Sequence, residues 1–129
     1  MDPAGTDHRR RLGAAAEAIC EQHLRRRGWT ILDRNWRIRM GEVDLIARDG
    51  RTIVFVEVKA AAAGSVAGPE RPAMAVGRNK QRRLRRLASA WLSARGHRLA
   101  WDEVRFDVVG VCFDRYGMVG SWEHVEGAF

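Results

Sequence analysis

Gly41-Glu42-Val43-Asp44-Leu45-Ile46 and Val54-Phe55-Val56-Glu57-Val58-Lys59 decide how this chain folds. Both are rich in β-branched and aliphatic residues and read as strands. Asp49-Gly50 lies between them, and both of its residues tolerate the positive φ of a two-residue hairpin loop. With that pair as the loop, residue 48 faces 51, 46 faces 53, 44 faces 55 and 42 faces 57. Side chains alternate with a period of two, so Glu42, Asp44, Glu57 and Lys59 share one face at the end remote from the turn. Val43, Leu45 and Ala47, with Val54, Val56 and Val58, make the other face apolar. Ile46, Ile53 and Phe55 make the turn end of the first face apolar too. A sheet apolar on both sides is normally covered by helices on both sides. The expected class is α/β, a central mixed sheet of about five strands flanked by helices.

The flanking sequence supplies the remaining elements. Residues 1–7 read as a disordered tail, and 8–129 as one domain, a length sufficient for a real core. A helix is expected from about Asp7, a candidate N-cap, to Arg27. Its stripe is Leu12, Ala15, Ala16, Ile19 and His23, with Cys20 and Leu24 on the flank and Glu17 at the border. Gly28 suits the helix stop, and Trp29 to Ile38 reads as a first strand. Residues 60–76, opening on Ala60-Ala61-Ala62-Ala63-Gly64-Ser65, read as a loop. A second helix covers Gly77 to Arg95, with Leu84, Leu87, Ala88, Trp91 and Leu92 as its apolar stripe and Lys80 continuing that stripe towards the helix start. Val104 to Phe113 and Met118 to Val125 are the last two strands, separated by a turn at Asp114-Arg115-Tyr116-Gly117.

Charge is distributed unevenly. The net charge is +7, but nine basic residues and no acidic one lie between Arg71 and Trp101, while the rest of the chain holds 14 basic against 16 acidic residues. A one-sign block of this kind implies a polyanionic partner. Arg78, Lys80, Arg82, Arg83 and Arg86 are its candidate contacts, because cations in the first turns of a helix oppose its dipole and no acid offsets them. No apolar run approaches the roughly 18 residues a membrane span needs, and the N-terminus has no signal-peptide pattern. Cys20 and Cys112 read as free buried thiols. The expected location is the cytoplasm, with no membrane partner.

Three carboxylates and an ammonium beside apolar strand residues are costly as plain structure and suited to a metal. Phosphodiester hydrolysis needs a divalent cation to polarise the phosphate and acidify water. Mg²⁺ takes oxygen ligands and keeps several waters, so Asp44 and Glu57 suffice as metal ligands. Lys59 orients the water or stabilises charge on the phosphate. Glu17 completes the site as an outer ligand if its helix packs on this face, and Glu42 is auxiliary. The plainer alternative makes Asp44 and Glu57 surface charges or ion-pair partners of Lys59, and Glu17 solvent-facing. Arg105 and Asp107, two apart on one strand, read as a structural ion pair.

Asp44, then Glu57-Val58-Lys59, with the preceding helical Glu17, is similar to the PD-(D/E)XK nuclease superfamily, which includes restriction endonucleases and Holliday-junction resolvases. Gly13-x-x-x-Glu17, Arg34-Asn35-x-Arg37, Gly41-Glu42-Val43-Asp44-Leu45-Ile46-Ala47, Val54 to Lys59, Lys80 and Arg105-Phe106-Asp107-Val108-Val109 more narrowly resemble the bacterial YraN-type family. The resemblance spans about residues 11 to 129. It implies the restriction-endonuclease-like fold, Mg²⁺ (or Mn²⁺) dependence and a DNA substrate, including branched or recombination intermediates. A homodimer is implied by the same likeness, since resolvases cut symmetrical junctions as pairs. The chain departs from the pattern after Glu-Val-Lys, where Ala60 and Ala61 replace a polar residue and an arginine. The expected function is therefore a metal-dependent endonuclease with Glu17, Asp44, Glu57 and Lys59 as catalytic residues. The alternative is a catalytically weak or inactive nucleic-acid-binding accessory protein in DNA repair or uptake.

Overall fold

A computed structural model describes residues 3–62 and 76–129. In chain order the elements are α1 (Pro3–Arg26), β1 (Thr30–Ile38), β2 (Gly41–Asp49), β3 (Thr52–Ala62), α2 (Arg78–Arg95), a 3-10 turn (Gly96–Arg98), β4 (Glu103–Phe113) and β5 (Val119–Val125). The sheet order is β1-β2-β3-β4-β5. Among the described strands only β3 and β4 run parallel, and α2 lies between them in sequence, as a parallel connection requires. Helices cover the two faces: α1 seals a core of Ala16, Cys20, Leu24, Leu45, Ala47, Val54 and Val56, and α2 seals Ile46, Ile53, Phe55, Leu84, Leu87 and Trp91 on the other side. This is the expected mixed α/β architecture, a restriction-endonuclease-like fold.

Five local expectations are corrected. Helix α1 begins at Pro3, within the stretch expected as a tail, so Asp7 lies inside the helix and does not cap it. Its buried line is Ala16, Cys20 and Leu24, while Ala15 is exposed. The helix is thus rotated towards Glu17, because Leu24 and Glu17 project at nearly the same angle.

The hairpin loop is Gly50-Arg51 and not Asp49-Gly50. Asp49 pairs with Thr52, and Gly50 alone supplies the positive φ of the turn, at +61°. Every rung slides by two residues, which leaves each side chain on its face, since faces repeat every two. The slide has one chemical consequence: the ladder ends at Leu45–Val56, and Phe55, expected opposite Asp44, pairs with Ile46 instead.

Val43 also departs from the alternation. It packs with α2 at 1% exposure, whereas Leu45 packs with α1. The inversion falls at Asp44, beside Asn35 of β1, which lies between the pairs Arg34–Leu45 and Trp36–Val43. Asn35 is the only non-glycine residue with positive φ (46°) among those described. Finally, Ala60, Ala61 and Ala62 are strand, paired with Val111, Cys112 and Phe113, rather than the start of a loop. The remainder of the expected loop, 63–75, lies outside the described residues.

Candidate active site

The β2–β3 ladder ends where the acids begin. Beyond Leu45–Val56 the backbone pairing stops, and the Asp44 side chain takes over: its Oδ2 accepts a hydrogen bond from the Val58 backbone N–H at 2.8 Å. This bond draws the carboxylate into the sheet, beside Glu57. Burial and then the Glu57 charge raise the Asp44 pKa from 3.8 to about 8, with Glu17 adding in the same direction. Two carboxylates this close do not both ionise readily.

Helix α1 supplies Glu17. One carboxylate oxygen from each of Glu17, Glu42 and Asp44 lies within 4.8 Å of the others. Glu57 is buried at 5% exposure and is held by two ammonium groups. Lys80 of α2 contacts its Oε1 closely, and Lys59 Nζ lies 3.4 Å from the same atom. Burial and the neighbouring Lys80 lower the Lys59 pKa. Lys80 is pushed the other way: burial opposes its charge, but the bonds to Glu57 and Lys59 and the charges of Glu57 and Asp44 together outweigh this and raise its pKa. Of the two, Lys59 gives up its proton more readily.

Glu17, Gly41, Glu42, Asp44, Glu57, Lys80, Arg83 and Leu84 line one open cavity of about 480 Å³. The elements α1, β2, β3 and α2 therefore bring Glu17, Asp44, Glu57, Lys59 and Lys80 to one place. Glu42 lines the same cavity. The donor set is all oxygen and carboxylate-rich, which fits a hard divalent cation such as Mg²⁺ or Mn²⁺ and fits no soft metal. The raised Asp44 pKa points the same way, because positive charge placed among these oxygens would relieve their mutual repulsion.

The remaining basic candidates divide by position. Arg83 borders the cavity, whereas Arg78, Arg82 and Arg86 stand exposed along α2. Arg105 and Asp107 are not part of the site. Asp107 is fully buried and accepts from Arg105 Nε at 2.8 Å and Nη2 at 3.0 Å, from the Gly127 N–H at 3.0 Å, and bonds His124 Nε2 at 2.8 Å. That is the structural ion pair expected, enlarged by a histidine.

Two residues without an expected role reach the acids. Asn35 Nδ2 donates to Glu17 Oε1 (3.3 Å), Glu17 Oε2 (3.1 Å) and Glu42 Oε1 (2.9 Å). Arg37 donates to Glu42 Oε2 from Nε at 3.2 Å and Nη2 at 2.6 Å, and that pairing lowers the Glu42 pKa. The only sequence signal was their place in Arg34-Asn35-x-Arg37, together with the readiness of asparagine to adopt positive φ.

Residues 16–111 match the family model described as "Uncharacterised protein family UPF0102". A UPF0102 protein of Rhodococcus jostii is 46% identical over 122 residues, covering 95% of this chain and 98% of the relative. One from Geobacter metallireducens is 41% identical over 122 residues, covering 95% and 94%. One from Frankia alni is 48% identical over 118 residues, covering 92% and 93%.

Proposed function

Because the chain belongs to the UPF0102 family, whose description carries no activity, we propose its function from the site: a metal-dependent endonuclease that hydrolyses phosphodiester bonds in DNA. The observation that carries this reading is the convergence of Glu17, Asp44, Glu57 and Lys80 from four elements on one cavity beside a cationic helix, with Lys59 paired to Glu57. Asp44, Glu57 and Glu17 hold Mg²⁺ or Mn²⁺. When bound, the ion supplies positive charge against the phosphate and acidity to water. Lys59, half-buried against Glu57, orients the attacking water. Lys80 stays charged and opposes the negative charge that grows on the phosphate. Arg83 at the rim and Arg78, Arg82 and Arg86 beyond it hold flanking phosphates.

One feature favours a second reading, a DNA-binding accessory protein without catalysis. Glu57 already has two ammonium partners, so a cation competes with them for this carboxylate. The test is direct. Purified protein is incubated with branched, single-stranded and duplex DNA in Mg²⁺ or Mn²⁺, beside Asp44→Ala. Metal-dependent cutting by the parent alone supports the nuclease. DNA binding by both proteins with no cutting by either supports the accessory role.

A further inference from the structure

Asn35 combines a backbone feature with a side-chain one. Its backbone holds φ at +46°, a conformation that disfavours most side chains, and its amide nitrogen is aimed at two of the site's acids. An amide nitrogen carries two N–H groups. One goes to Glu42 Oε1, and the other is shared between the two oxygens of Glu17. Each Glu17 oxygen thus accepts only a part-share of a proton and keeps lone-pair capacity facing the cavity. Glu42 is different: Asn35 occupies Oε1 and the Arg37 guanidinium occupies Oε2. Arg37 fixes Glu42, Glu42 fixes the Asn35 amide, and the amide fixes Glu17.

We infer that Asn35 is a positioning residue that aims Glu17 at the divalent cation, with Glu42 as its brace and not as a principal ligand. The inference rests on the metal-site reading of the proposed function. Glutamate on a helix border is otherwise free to swing to solvent, and ordering it in advance lowers the entropic cost of cation binding. The kinked backbone serves the same end, because Asn35 faces the rung where β2 switches sides and Asp44 enters the cavity.

Asn35→Gly is the informative variant, since glycine accepts the same φ without strain and removes only the amide. Mn²⁺ affinity is measured by calorimetry for the parent, Asn35→Gly, Glu17→Ala and the double variant, with melting temperatures taken without metal. Asn35→Gly is expected to melt within a few degrees of the parent and to bind Mn²⁺ about tenfold more weakly. In the Glu17→Ala background it should weaken binding no further. Unchanged affinity in Asn35→Gly, or a full tenfold additional loss in the double variant, would overturn the inference while leaving the metal site intact. Loss of the fold in Asn35→Gly would overturn it by making the amide structural. A folded parent that binds no Mn²⁺ would overturn the metal-site reading itself, and this inference with it.

Discussion

Asp44 holds conflicting instructions. Burial and the neighbouring Glu57 favour its neutral form, and the Val58 N–H favours its charged form. The first two win, so the folded chain binds this proton up to a pKa of about 8, against 3.8 ordinarily. Stability from that proton is complete below about pH 4 and is lost as pH rises to about 8. Asp44→Asn keeps an acceptor for Val58, adds a donor towards Glu57 and cannot ionise. At pH 8 it should melt several degrees above the parent, and the gap should close by pH 4. A gap that does not change with pH would show that Asp44 is not the titrating group. Gly41 makes a different local demand. Its φ is +155°, and a Cβ there would stand 3.4 Å from Leu87 Cδ1 and 3.5 Å from Arg83 Cδ. Gly41→Ala should cost about 1–2 kcal/mol in urea unfolding through backbone strain, since the Cβ itself meets only ordinary contacts.

Helix α2 shows how much an element's sequence discloses. Its boundaries and its buried stripe of Leu84, Leu87, Ala88 and Trp91 follow the period of 3.6 and are as expected. Its nine-residue cationic neighbourhood reads as one block in sequence, but the fold divides it. The Arg85 guanidinium lies over Phe106 at 5.0 Å and Phe129 at 5.5 Å, and Arg95 bonds Asp33 at 3.1 Å. Arg78, Arg82, Arg83 and Arg86 are left without a carboxylate partner among the described residues. If these four neutralise about four phosphates, the log of DNA affinity should fall against log salt with a slope near −3.6. Arg82→Ala with Arg86→Ala should reduce that slope to about −1.8, measured by fluorescence anisotropy. Arg85→Ala should leave the slope alone and lower stability by about 1 kcal/mol. The hairpin was legible in a weaker sense. Alternation gave its faces, and these survived a two-residue error in register because a shift of two preserves them. The turn itself was misplaced because Asp-Gly and Gly-Arg both present a glycine that can take positive φ. The Val43 inversion and the bracing of Glu17 depend on Asn35 meeting β2, a long-range contact that no local pattern encodes.

Across the whole molecule, a half-buried carboxylate, Asp44, and a buried one, Asp107, pull stability in opposite directions with pH. Asp44 lies between β2 and β3. Asp107 ties β4 to β5 and to the chain end through Arg105, His124 and Gly127, and His124 reaches on to Arg27 behind α1 at 3.1 Å. Burial alone would raise the Asp107 pKa, but the bonds from His124 and Arg105 outweigh it and hold the group below 3.8. A depressed carboxylate contributes stability above its unfolded pKa of about 4, and that contribution is lost as pH falls through the folded value. Removing the charge while keeping the shape, as Asp107→Asn does, leaves Arg105 poorly compensated and should cost about 3 kcal/mol at pH 7. The parent's melting temperature should accordingly fall on both sides: in acid through Asp107, and towards pH 8 through Asp44. A divalent cation acts on one side only, because it replaces the proton among the carboxylates of the cavity and touches nothing near Asp107. Mn²⁺ at a hundred times its dissociation constant should add about 2.7 kcal/mol at pH 8. The same addition should do little at pH 4, where protons outcompete the ion. Asp44→Asn should show the acid limb unchanged and most of the Mn²⁺ gain gone. A Mn²⁺ gain of equal size in Asp44→Asn would mean that the ion binds elsewhere on the protein.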